Sequence, residues 1–270
     1  MKYTKSTPII GLGKLERERL SALLRATAVT ISINDATGTL KISREKASKL
    51  LSAYAKKGWL LRIGGGIYTS VPLESETADI MPDDPLAIAE KLFSPCYVGG
   101  WSAAEHWGMT EQIYQSIIIM TKHMQKNYSP IIMNTEYLLH LTRPSLFFGL
   151  ETVWKNKVKV LISNPTRTIV DLINHPLLGG GIRPSVDILK NYFLSKNKSI
   201  DLLIEYMIKL DNGAAYKRLG FVTEKFFPSE QCLINECQSR LTTGNAKLDA
   251  SLKCDKLVTK WRLFVPGNWK

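Results

Sequence analysis

No stretch of this chain approaches the roughly 18 consecutive apolar residues that a membrane span requires, so no membrane partner is expected. The opening segment MKYTKSTPIIGLGK lacks the apolar run of a secretory signal. Cysteine is scarce: the four present, Cys96, Cys232, Cys237 and Cys254, do not make a disulfide framework in a chain of 270 residues. Together these absences make the cytoplasm the expected compartment. Metal-ligand spacing is missing too. Cys232 and Cys237 are too loosely placed for a zinc knuckle, and His106, His123, His140 and His175 are scattered. Gly64-Gly65-Gly66 and Gly179-Gly180-Gly181 carry neither the lysine and hydroxyl of a P-loop nor a dinucleotide fingerprint. They read as a hairpin tip and a helix-linking turn. No GxSxG elbow is present. No catalytic residue, metal or cofactor is expected, and the chain is not expected to be an enzyme.

Acid is scarce at one end. Residues 1–72 hold 13 Lys and Arg against 4 Asp and Glu, a net +9, whereas the remaining residues hold 23 against 20. Most of the net charge of +12 therefore sits on the first quarter of the chain. A concentrated positive field favours phosphate contact with release of counterions.

That quarter also carries the most informative pattern, SREKASKLLSAYAKKGWLLRIGGGIYTSV from Ser43 to Val71. Ser43 is a good N-cap, because its hydroxyl can accept from a backbone N–H two or three residues on. Ala47, Leu50, Leu51 and Tyr54 recur at helical spacing and form the expected buried stripe. Arg44, Lys46, Ser48, Lys49 and Ser52 lie on the opposite face. Gly58 ends the helix behind two lysines. Trp59–Ile63 and Ile67–Val71 read as strands joined by the three glycines. Upstream, leucines repeat helically within Gly11–Ala26, Val29–Ile31 reads as a short strand, Ile33–Leu40 as a short helix, and Lys41 and Ile42 as the turn. This order matches a winged helix-turn-helix, whose second helix enters the major groove. The expected DNA-binding residues are Lys41, Ser43, Arg44, Lys46, Ser48, Lys49 and Ser52 on the helix-turn-helix, with Arg62, Gly64 and Gly65 on the wing. The partner is duplex DNA.

The fold class expected is α+β: an N-terminal winged helix-turn-helix over 1–72, an acidic proline-bearing linker over 73–85, and a larger mixed α+β domain over 86–270 with a helical second half. In that domain helices are expected over Leu86–Phe93, from a Ser102 cap through Trp107, and over Thr166–Asn174, Ser185–Ser195, Ile200–Leu210 and Ala214–Phe226. Strands are expected over Gln115–Thr121, Tyr137–Leu141, Leu146–Gly149 and Val158–Ile162, and the tail reads as short strands or turns. Arg167 and Asp171 stand four apart and could pair across one helical turn. Lys217 and Arg218 could bind helix-terminal carbonyls or form a second basic surface. Glu105, Asp171 and Glu224 could meet around a metal, which leaves one other reading: a DNA-targeted, metal-dependent nuclease-like enzyme carried on a winged helix.

Several segments together resemble the AbiEi antitoxin family. They are Trp101–Thr110 (WSAAEHWGMT) with the strand Ile117-Ile118-Ile119, Leu146-Phe147-Phe148-Gly149, Asn164–Leu172 (NPTRTIVDL), Pro176 with Gly179–Ile182, and Ala214–Phe221 (AAYKRLGF). The resemblance covers essentially the whole chain, since these antitoxins carry a winged helix at the N-terminus. It implies a type IV toxin–antitoxin, or abortive-infection, system of bacteria or their mobile elements, with a role in phage defence. It further implies a transcriptional repressor that binds inverted repeats in its own promoter. The C-terminal domain would take part in neutralising a nucleotidyltransferase-type toxin without a stable complex.

Overall fold

The computed structural model describes residues 11–72 and 84–269. Residues 73–83 of the expected linker, and the first ten residues of the opening segment, lie outside the described residues. The class is mixed α+β, in two compact units. One contains the described residues through Cys96, with His123–Leu139 and Thr152–Val160; the other contains Tyr97–Lys122, His140–Glu151 and the described residues from Leu161 onward.

The first unit begins with α1 (Lys14–Ala26), β1 (Ile31–Ser32), α2 (Ile33–Leu40), α3 (Arg44–Lys56), β2 (Leu60–Gly64) and β3 (Ile67–Ser70). Ser32 starts α2 with a reciprocal cap: its hydroxyl accepts from the Asp35 N–H at 3.1 Å, and its own N–H donates to Asp35 Oδ2 at 2.8 Å. Lys41 ends this helix in the left-handed region, φ 50°. After a turn of Lys41 and Ile42, the Ser43 hydroxyl accepts from the Lys46 N–H and α3 begins. Leu20, Leu23, Ile31, Ala36, Ala47, Leu51, Tyr54, Leu60 and Tyr68 close into one buried cluster. The expected stripe of α3 faces it, with Leu50 half-buried at its margin. Polar ties fix the packing: Tyr54 Oη donates to the Glu16 carbonyl at 2.9 Å, and Lys57 Nζ reaches Glu16 at 2.6 Å. β1, β3 and β2 form an antiparallel sheet in that order, with a bulge between Arg62 and Gly64. The short strand expected over Val29–Ile31 is displaced to Ile31–Ser32, where it pairs with Tyr68 and Ile67.

The chain continues with α4 (Pro85–Phe93), β4 (Cys96–Val98), α5 (Gly100–His106), β5 (Ser116–Thr121), β6 (Ile131–Ile132), β7 (Thr135–Leu141), β8 (Leu150–Lys155) and β9 (Val158–Ser163). These strands form a sheet in the order β6-β7-β5-β4-β9-β8, with Val98 of β4 parallel to Ile162 of β9. The helical second half follows: α6 (Pro165–Asn174), α7 (Ile182–Leu194), α8 (Ile200–Leu210), α9 (Gly213–Phe226) and α10 (Gln231–Ser239). Asn164 caps α6 and Pro165 occupies its first turn, where a missing N–H costs nothing. Three short strands, β10 (Ala246–Lys247), β11 (Lys256–Val258) and β12 (Leu263–Val265), close the chain in the order β10-β12-β11.

Two local expectations are corrected. Leu146–Gly149 is not a strand: Pro144–Leu146 forms a 3-10 turn, Gly149 sits at φ 64°, and pairing starts only at Leu150. Ser102 does not cap α5, which begins at Gly100; its hydroxyl instead accepts from the Ile118 N–H at 3.0 Å.

Candidate nucleic-acid interface

The start of α3 presents Ser43, Arg44, Glu45, Lys46 and Lys49 to solvent, and Lys41 is exposed on the turn before it. Ser48 and Ser52 are half-buried. Arg44 Nη1 donates to Asn34 Oδ1 of α2 at 2.7 Å, so the first residue of α3 is tied back to the preceding helix. Lys49 pairs with Glu45 one turn earlier at 2.7 Å, both side chains being 77% exposed. Such a pair is worth only a few tenths of a kcal/mol (about 0.3–0.5) and yields readily to a phosphate. The Ser52 hydroxyl lies 3.2 Å from Tyr68 Oη, which joins α3 to β3.

On the hairpin, Arg62 is exposed on β2, opposite Tyr68 of β3. Of the three glycines only Gly65 is fully open, with nothing within 4 Å of where a Cβ would stand. Gly64 is half-buried, and a Cβ there would lie 2.7 Å from Leu92 of α4. Gly66 needs its glycine twice over: φ is 83°, and a Cβ would lie 2.8 Å from Ile33. Its carbonyl accepts from the Ile33 N–H at 3.2 Å, which pins the tip to the start of α2. Arg62 and Gly65 thus stand exposed on the hairpin whose Leu60 and Tyr68 join the core.

Lys217 and Arg218 have specific partners in the second unit. Lys217 is 2% exposed, and its ammonium donates to Thr242 Oγ1 at 2.9 Å and to the Gly244 carbonyl. Burial and the nearby Arg262 lower its pKa. Arg218 donates from Nε to the Lys247 carbonyl and from Nη1 to the Ile173 and Asn174 carbonyls at 3.2 and 2.9 Å. It therefore covers the C-terminal carbonyls of α6.

Arg167 and Asp171 do pair across a turn of α6, at 2.7 Å, with both side chains almost wholly buried. Tyr97, unremarked in the sequence, joins them. Its hydroxyl donates to Asp171 at 3.2 Å and accepts from Arg167 Nη2 at 3.1 Å. Burial raises the Asp171 carboxyl and the Tyr97 hydroxyl above their ordinary values, while Asp171 holds Arg167 protonated against the cost of desolvation. The other two carboxylates considered with Asp171 have different settings. Glu224 accepts from Trp261 Nε1 at 2.7 Å and from Lys260, and Glu105 is exposed on α5. Among the described residues, no group of three His, Cys, Asp or Glu is placed to hold a metal ion.

No protein-family pattern and no curated protein matches this chain. Its fold is similar to that of the RV2827C protein from Mycobacterium tuberculosis, known from a crystal structure, with a TM-score of 0.61 at 14% identity. The match covers 95% of this chain and 93% of that one. At such low identity the likeness concerns the fold alone.

Proposed function

We propose that residues 1–72 act as a winged helix-turn-helix on duplex DNA, and that the chain is a transcriptional autorepressor and antitoxin. The observation that carries the DNA reading is the exposed start of α3, where Arg44, Lys46 and Lys49 stand free of the core that the opposite face fills. A rigid helix with base-length cations at its N-terminal end suits entry into a major groove. Arg62 and the open backbone of Gly65 on the neighbouring hairpin suit phosphate contact. The net +9 of residues 1–72 supports the same partner.

The antitoxin half of the reading rests on the resemblance to the AbiEi family. It assigns the chain to a bacterial phage-defence operon, with inverted promoter repeats as the operator and a nucleotidyltransferase-like toxin as the functional partner. Cytoplasmic location follows from both roles. Among the described residues, no helix is long and apolar enough to cross a membrane.

Growth provides the test. The protein encoded immediately downstream, whose expected class is nucleotidyltransferase-like, is induced with and without this chain from foreign promoters. Growth restored by the wild-type chain, and by Arg44→Ala with Lys49→Ala, supports an antitoxin that works apart from its promoter contact. Arrest that persists when the wild-type chain is present contradicts the antitoxin assignment.

A further inference from the structure

The second unit holds a cavity of about 400 Å³ that the DNA reading does not use. This lies within the ordinary range of small-ligand sites, about 300–1,000 Å³. Met120, Leu141, Leu146 and Leu210 give it an apolar wall. Its polar lining comes from three separate parts of the chain. Arg143 stands exposed beside the 3-10 turn, and His140 and His175 bring their rings to 4.7 Å. Asn212, the N-cap of α9, donates to Asn174 Oδ1 at 2.7 Å on the same lining. Arg167 lies beneath, with its ion partner Asp171, and Asp211 completes the lining.

Arg167 is the anomaly. Its guanidinium lies 4.2 Å from the Phe148 ring centroid and spends only Nη2 on Asp171 and Tyr97. Nε and Nη1 are buried without a protein acceptor. A cation in that condition is costly unless further negative charge approaches it. Desolvation first, then the charges of His140 and Arg218, hold the His175 imidazole down to about 4.

We infer that this cavity binds a phosphate monoester of nucleotide size, with the phosphate between Arg143 and the two histidines above buried Arg167 and the organic body against the leucine and methionine wall. A phosphate offers three terminal oxygens to donors arriving from several sides, where a carboxylate offers two. Arginine forks match it. Asp171 is already committed to Arg167 and Tyr97, which leaves Asp211 as the one carboxylate of the lining outside that network.

Calorimetric titration of the full chain with adenosine 5′-monophosphate tests this, beside inorganic phosphate, adenosine and a 5′-phosphorylated trinucleotide. The expected result is one saturable site with a Kd at or below about 1 mM, competed by inorganic phosphate and blind to adenosine. Tighter binding of the trinucleotide identifies a polynucleotide end as the natural source; equal or weaker binding identifies a free nucleotide. Arg143→Gln, an exposed substitution outside the core, weakens binding about tenfold or more. Arg167→Met abolishes it, provided circular dichroism shows a native fold; Arg143→Gln decides the matter otherwise. The inference is overturned if neither phosphate compound saturates, if adenosine binds as tightly as its monophosphate, or if Arg143→Gln leaves the affinity unchanged.

Discussion

Arg167, Asp171 and Tyr97 show what one pair of residues can and cannot announce. Their i,i+4 spacing made the Arg–Asp pair readable, because positions four apart share a helix face. Its burial and its third member were not readable: Tyr97 lies 74 residues from Asp171, and only the fold brings them together. The same holds for Lys217 and Arg218, which look like surface cations until Thr242, Gly244 and the end of α6 are placed beside them. Removing one partner of a buried pair strands the other. Arg167→Met alone is therefore expected to lower stability by about 3–5 kcal/mol in urea unfolding, and Arg167→Met combined with Asp171→Leu by clearly less. A double variant less stable than the single one would contradict that account. Gly220 is a second single-residue constraint, since a Cβ there would overlap the ring of buried Trp261. Gly220→Ala is expected to cost about 1–3 kcal/mol by the same measurement, although alanine is the better helix former.

Elements with strong local signals are legible in the sequence. α2 begins and ends where its cap and turn residues place it, and α3 lies within a residue or two of the expected span. α3 carries the pattern and its Ser43 cap in consecutive residues, while the Ser32–Asp35 cap of α2 emerges only in the structure. The failures fall where long-range pairing decides. β8 went unread because Leu150–Lys155 alternates weakly, with no residue of it fully buried. Leu146–Gly149 looked like a strand by composition, but Gly149 at φ 64° packs against Tyr206, some sixty residues away. α10 spans only nine residues, too short for a distinct amphipathic signal in the sequence. Within the proposed reading element, Arg44 and Arg62 are expected to have separable duties. Arg44→Ala is expected to cost about 1–3 kcal/mol on the preferred operator and to relax discrimination at one base step. Arg62→Ala is expected to weaken all duplexes alike. Competition binding against a set of single-base operator variants separates the two, and equal loss of discrimination from both would contradict the assignment.

For the whole molecule, pH and salt act on different parts. His140 and His175 are both held below the ordinary imidazole value of 6.5, His175 to about 4. The unfolded chain then binds more protons than the folded one between those values. Stability from these groups is complete above about 6.5 and is lost as pH falls toward 4. The urea midpoint should drop over that window, and drop less in His175→Asn; a midpoint that rises on acidification would contradict the sign. Salt tests the central claim, that the α3 face binds duplex DNA. The decisive measurement is fluorescence anisotropy of a labelled promoter duplex with the full chain at several salt concentrations. Log affinity should fall linearly with log salt, by a slope of about 0.9 for each phosphate neutralised, and Arg44→Ala with Lys49→Ala should abolish preference for the promoter. No saturable binding at low salt, or a double variant that binds the promoter as tightly and selectively as wild type, would contradict it.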